Sequence, residues 1–211
     1  MRERAFTGCS NSKWPVGNTC PLNASSSSEY RRVVAMYRSP RAWQRSAFFY
    51  FKRPTPPANA TTAEICEFVS RKLWAGMQTG LTMGWDPARV AANGSRPVLD
   101  ANAACWRLNN FAWVGITDYW RSSICLFHAR FGGEAAESDY ANIRPGAASG
   151  SSGSSGSCPD AVDEQTFACA FGRFLRELRP HPRCLRLLAA DAAGADIGYA
   201  AADAMLREAL S

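Results

Sequence analysis

An arginine and a serine eight positions apart, Arg38 and Ser46, are the residues whose types and spacing best suit a chemical task in this chain. The planar guanidinium fork of an arginine grips phosphate, sulfate or carboxylate through paired N–H bonds, and a nearby hydroxyl adds a neutral donor to the same oxygens. Between them stands Pro40. A proline fits the first turn of a helix, where its missing N–H costs nothing, and it pushes the residue before it, Ser39, into extended geometry. A helix beginning there aims its first amides and partial positive charge at the ligand of Arg38, with Ser46 one to two turns along and its hydroxyl facing the same group. The chemistry expected of this stretch is therefore anion binding.

Other reactive residue types offer less. Eight cysteines are present, but no two are spaced C-x-x-C, and the only histidines are His128 and His181. Zinc is disfavoured on that pattern, and no metal is expected. His128 falls on a helical apolar stripe and reads as structural; His181, between Pro180 and Pro182, reads as a loop residue. Cys125 and Cys169 also lie on apolar helical patterns and read as core thiols.

The elements that must position Arg38 and Ser46 are legible on both sides of them. Residues 31–37 form a short apolar run rich in β-formers, and Ala42, Trp43, Ser46, Phe49 and Tyr50 then recur at helical spacing until Pro54–Pro57. A second strand and helix follow the same plan: Phe111–Ile116 is continuously apolar, Thr117 is a good N-cap, Asp118 adds negative charge to its helix's first turn, and Trp120, Ile124, Phe127 and Phe131 make a stripe ending at Gly132-Gly133. Strands followed by helices rather than hairpins argue for an α/β fold with a parallel sheet flanked by helices. Such a sheet places ligands at the carboxyl ends of its strands, which is where Arg38 falls.

Further helices are expected over 62–74, over 100–108, from Asp163 to Pro180 with Phe167, Phe171, Phe174 and Leu178 on one face, and over 197–210. The chain thus divides into an irregular segment 1–29, an α/β core 30–145, a Ser/Gly-rich loop 146–158 and a helical segment 159–211 packing on the core. Its 211 residues, 46% hydrophobic and 11% aromatic, suffice for one sizeable core and exclude wholesale disorder.

Charge is concentrated near Arg38. The whole chain carries +6, whereas residues 1–53 alone hold ten Lys or Arg against two Glu, a balance of +8. That supports an anionic ligand for the N-terminal third. A nucleic acid is not expected, because no recognised binding module accompanies the charge and the aromatics at 48–51 read as a helix core. No apolar run approaches the ~18 residues of a membrane span, and the first residues lack the apolar stretch of a secretion signal. Three Asn-x-Ser/Thr triplets, at Asn23, Asn59 and Asn93, together with an even number of cysteines, fit the lumen of the secretory pathway.

Arg38-x-Pro40 with Ser46 behind it resembles the motif by which sulfotransferases hold the nucleotide of the sulfate donor PAPS, 3′-phosphoadenosine 5′-phosphosulfate. The likeness continues in chain order. Ala75–Gly84, AGMQTGLTMG, resembles a glutamine-containing segment of carbohydrate sulfotransferases; Asn102–Gly133, with FAWVGITDYWRSSICLFHARFGG at its heart, resembles their strand and helix; Asp163–Phe174 resembles their closing acidic helix. The resemblance implies a P-loop NTPase-like sulfotransferase fold and transfer of sulfate from PAPS to a hydroxyl of a carbohydrate or similar acceptor. It implies that Arg38 and Ser46 hold the donor's 3′-phosphate and that Arg144, in Asn142-Ile-Arg-Pro-Gly146, contacts the nucleotide. It also implies the Golgi lumen, with membrane attachment only through an anchor outside this sequence. The family's Lys and Gly/Thr phosphosulfate loop has no clear counterpart. Lys13–Thr19 has those residues in that order at a different spacing, so the fold is expected to be N-terminally incomplete. No residue stands out as the general base. The alternative expectation is an inactive or fragmentary relative that binds a nucleotide or a sulfated glycan.

Overall fold

The computed structural model describes residues 30–51, 60–71, 75–84, 98–140, 158 and 160–194. Arg144, the segment 1–29 with Lys13–Thr19, the three Asn-x-Ser/Thr asparagines, most of the 146–158 loop and the helix expected over 197–210 lie outside the described residues.

Within the described residues the chain is mostly helical around a small parallel sheet. Strand β1 (Val34–Tyr37) pairs with β2 (Trp113–Ile116) in the register Val34↔Trp113 to Tyr37↔Ile116. Helix α1 (Pro40–Phe51) follows β1, then α2 (Thr62–Arg71), the short α3 (Met77–Thr82) and α4 (Ala101–Asn110). After β2 come α5 (Trp120–Phe131), α6 (Ala161–Leu178) and α7 (Pro182–Gly194). The α/β expectation holds at this level: each strand runs into a helix at its carboxyl end. Asp100 starts α4 as a side-chain cap, accepting from the Asn102 and Ala103 amides, which is why that helix begins where the sequence changes.

The two strands differ in burial for a simple reason. All four residues of β2 are buried beneath helices, whereas Val34 and Met36 of β1 face outward. A continuously apolar run suits a strand covered on both faces. Gly115 is required at its position, since a Cβ there would collide with the Trp113 ring and the Met36 sulfur. Behind β2, Leu108, Ile116, Leu126, Phe174, Leu178 and Leu188 are almost completely buried, and Phe167, Phe171, Phe174 and Tyr119 line up ring beside ring. A second, smaller cluster of Phe48, Phe68, Val69 and Met77 joins α1, α2 and α3.

Three disulfides staple these layers: Cys105–Cys169 ties α4 to α6, Cys125–Cys184 ties α5 to α7, and Cys66–Cys158 ties α2 to the residue shortly before α6. The reading of Cys125 and Cys169 as core thiols is thereby corrected. Both lie on helices, α5 and α6, and the packing of those helices brings a second cysteine against each. A buried arginine does a related task. Arg173 is 5% exposed and donates from Nη1 to the Leu108 carbonyl and from Nη2 to the Phe111 carbonyl at 2.8 Å, with Glu177 as its counter-ion at 2.7 Å. It thus satisfies carbonyls left over where α4 ends and the chain turns into β2.

The start of α5 departs from expectation. A tight turn over Thr117–Tyr119 intervenes, α5 begins at Trp120, and no side chain caps it. Thr117 instead donates its hydroxyl to the Tyr37 carbonyl at 3.2 Å, and Asp118 turns toward β1. Partners across the end of the sheet have displaced the local cap. No helix among the described residues is long and apolar enough to cross a membrane.

Candidate functional site at the carboxyl end of the sheet

Where β1 ends, the chain turns through Arg38 and Ser39 into α1, and that turn is held from three sides. The Arg38 amide donates to Gln78 Oε1 at 3.1 Å, the Ser39 amide donates to Asp118 Oδ2 at 2.8 Å, and Thr117 binds the Tyr37 carbonyl. Each partner is distant in sequence. The extended geometry forced on Ser39 by Pro40 leaves its N–H pointing away from the helix, so an acceptor from another element is needed, and Asp118 supplies it.

Helix α3, which delivers Gln78, is itself fixed by carboxylates of α6 and its cap. Asp163 accepts from the Gln78 amide at 3.1 Å, the Thr79 amide at 2.8 Å and the Thr79 hydroxyl at 2.7 Å, while Asp160 accepts from the Gly76 amide at 2.9 Å. Gly76 has φ of 71°, a left-handed conformation for which glycine carries little penalty. At the other end of α3, the Tyr37 hydroxyl meets Thr82 Oγ1 at 2.6 Å. A continuous polar chain therefore runs from α6 through α3 to the Arg38 turn.

The electrostatics follow from burial. Burial raises the Asp118 carboxyl above the ordinary carboxylate range, opposed by the Ser39 N–H, by the Arg38 charge and by the Ser39 hydroxyl. Asp163 is pushed up to about 6 by burial and by the neighbouring charge of Asp160, against the Thr79 and Gln78 donors. Burial also lifts the Tyr37 phenol well above its usual value.

Arg38 stands half-buried at the carboxyl end of β1, with Pro40 opening the helix that follows. The start of that helix, however, is capped by its own chain. Pro40 has no N–H, the Ala42 amide points to Ser39 Oγ at 3.4 Å, the Trp43 amide goes to the Ser39 carbonyl at 2.9 Å, and the Ser39 amide goes to Asp118. Ser46 is half-buried on α1, six residues past Pro40 and so roughly 9 Å along the axis at ~1.5 Å per residue. The structure joins Arg38 to Gln78 and Asp118, and sets Ser46 further along the same helix.

Gln78 and Asp118 are thus the site residues that spacing alone missed. In the sequence Gln78 stands out only as part of its motif, and capping rules, which look forward along the chain, place Asp118 with its own helix. His128 Nε2 lies 3.6 Å from Asp139, and the His181 carbonyl accepts the amides of Cys184 and Leu185 as α7 begins. Among the described residues no group of three or more His, Cys, Asp or Glu is arranged to hold a metal. Compared with known proteins, the chain matches no family model, no curated protein and no solved structure.

Proposed function

We propose that this chain is a sulfotransferase-like protein of P-loop-related α/β fold, transferring sulfate from PAPS to a hydroxyl of a carbohydrate or similar acceptor. The observation that carries the reading is the Arg38 turn: an arginine at the carboxyl end of a parallel strand, before a proline-led helix, with its backbone held by Gln78 and Asp118. In this reading Arg38 forks onto the 3′-phosphate of the donor and Ser46 adds a hydroxyl donor. Both act by anchoring, which fixes the sulfuryl group relative to the acceptor. During transfer the acceptor oxygen bonds to sulfur as the bond from sulfur to the phosphate oxygen breaks, leaving PAP (3′-phosphoadenosine 5′-phosphate), and the acceptor proton passes to a base. The three disulfides support an oxidising compartment such as the Golgi lumen.

A second reading, a relative that binds nucleotide or sulfated glycan without turnover, is favoured by one observation. The Arg38–Pro40–Ser46 anchor is present in the sequence, whereas the Lys and Gly/Thr phosphosulfate loop has no clear counterpart. Incubation of the disulfide-intact protein with radiolabelled PAPS and a panel of oligosaccharides separates the two. Transfer lost in Arg38→Ala and reduced in Ser46→Ala is the expected result. PAP binding without transfer to any acceptor selects the second reading, and neither binding nor transfer rejects both.

A further inference from the structure

The amide of Gln78 is used on one side only. Its Oε1 accepts from the Arg38 N–H at 3.1 Å, and because an N–H requires an acceptor, that contact fixes which end of the carboxamide faces Arg38. Its Nε2, with two N–H donors, has no partner among the described residues, although Gln78 is only 8% exposed. A buried amide donor without an acceptor is destabilising, so natural proteins keep few of them, and those they keep need a reason. The backbone of α3 is committed here: Asp163 takes the Gln78 amide, Asp160 takes the Gly76 amide, and Thr82 bonds back to the Gln78 carbonyl at 2.7 Å. The side chain cannot withdraw without releasing Arg38.

A carboxamide's oxygen and nitrogen are both bonded to one carbon, so Nε2 lies within a few ångströms of the Arg38 turn. An unpaired neutral donor beside the turn that carries Arg38 matches an oxygen-rich anion, which can accept from several N–H groups at once. We propose that Gln78 is an oxyanion-binding residue, its Nε2 donating to a phosphate or sulfate oxygen that Arg38 holds while its Oε1 fixes the Arg38 backbone. This deepens the nucleotide reading and rests on it for the identity of the anion, the donor's 3′-phosphate. The contact itself requires only an oxyanion.

Gln78→Glu separates the two tasks of the side chain. Glutamate keeps an oxygen for the Arg38 amide, replaces the donor with a second oxygen and adds a negative charge that repels a nearby anion, so the direct contact is read from the Gln78 amide resonances, and unchanged affinity in the variant excludes it. The experiment is calorimetric titration of wild type and Gln78→Glu with PAP, beside ¹⁵N spectra of the wild-type side-chain amides during the same titration. Loss of peaks in Gln78→Glu assigns the Gln78 pair; if that variant does not fold, Gln78→Asn provides the assignment. The expected result is a shift of the Gln78 amide resonances on PAP binding and a loss of about tenfold or more in affinity for Gln78→Glu. Unmoved Gln78 resonances at saturating PAP, or unchanged affinity in a folded Gln78→Glu, overturn the proposal and leave the nucleotide reading standing. If PAP does not bind better than inorganic phosphate or sulfate but those ions move the Gln78 resonances, the oxyanion contact stands and the nucleotide reading falls. If no anion moves them, both fall.

Discussion

The Arg38 turn and the interior behind β2 are a few residues apart in space, yet they are held by different forces. Behind β2 the order comes from apolar side chains, stacked rings and disulfides, with Arg173 as a fully paired exception. At the carboxyl end of the sheet it comes from single hydrogen bonds between groups far apart in sequence: Ser39 to Asp118, Arg38 to Gln78, Thr79 to Asp163. Close packing is non-directional and tolerates exchange among similar volumes, whereas each bond of the turn needs a particular atom in a particular place. Under the proposed function the difference separates stability from ligand binding. Damage to the interior should unfold the protein, and damage to the turn should leave it folded but, on that proposal, unable to hold an anion.

That contrast can be broken most forcefully at Phe174, which is fully buried behind β2. Phe174→Ala is expected to cost about 3–5 kcal/mol of stability in denaturant unfolding, enough to leave a chain of ordinary stability marginal. A loss under about 1 kcal/mol would mean that the interior is far more adaptable than its packing indicates.

Asp163 sharpens the contrast, because it is a polar group on which the site's geometry depends. Its carboxyl is raised to about 6 in the folded protein, from an ordinary value near 3.8. The folded state therefore binds the proton more tightly than the unfolded chain. The stabilisation this gives is fully present below pH of about 3.8 and is lost as pH rises through about 6. Thermal unfolding followed across that window should show this fall in wild type and a flatter profile in Asp163→Asn. A profile identical in both would show that Asp163 does not carry the dependence. The smallest effect is expected from Thr117→Val, which removes only the bond to the Tyr37 carbonyl. A stability loss of about 0.5–1.5 kcal/mol in urea unfolding is predicted.

How far the sequence disclosed this arrangement depended on the range over which each signal acts. Local patterns were readable: the apolar run before Arg38, Pro40 opening α1, the continuous apolar stretch of β2 and the Phe167–Leu178 face all appear where periodicity and proline placed them. Signals with two local solutions misled. Thr117 and Asp118 are good capping residues for the helix that follows, and only the nearness of β1 turns them toward Tyr37 and Ser39. Pairings spanning 59 to 92 residues, as in the three disulfides, leave no periodic trace, so Cys125 looked like a core thiol and is a bonded one. For Gln78 the sequence offered a motif, while its orphaned donor is a property of the folded site alone.

The central claim, that Arg38 anchors a 3′-phosphate, is tested most directly by titrating the folded, disulfide-intact protein with PAP and with AMP, which lacks that phosphate, and repeating both with Arg38→Ala. A charge-assisted contact of this kind predicts PAP binding at least about tenfold tighter than AMP in wild type, with the preference gone in Arg38→Ala. Equal binding of the two nucleotides, or a preference that survives the loss of Arg38, would contradict it.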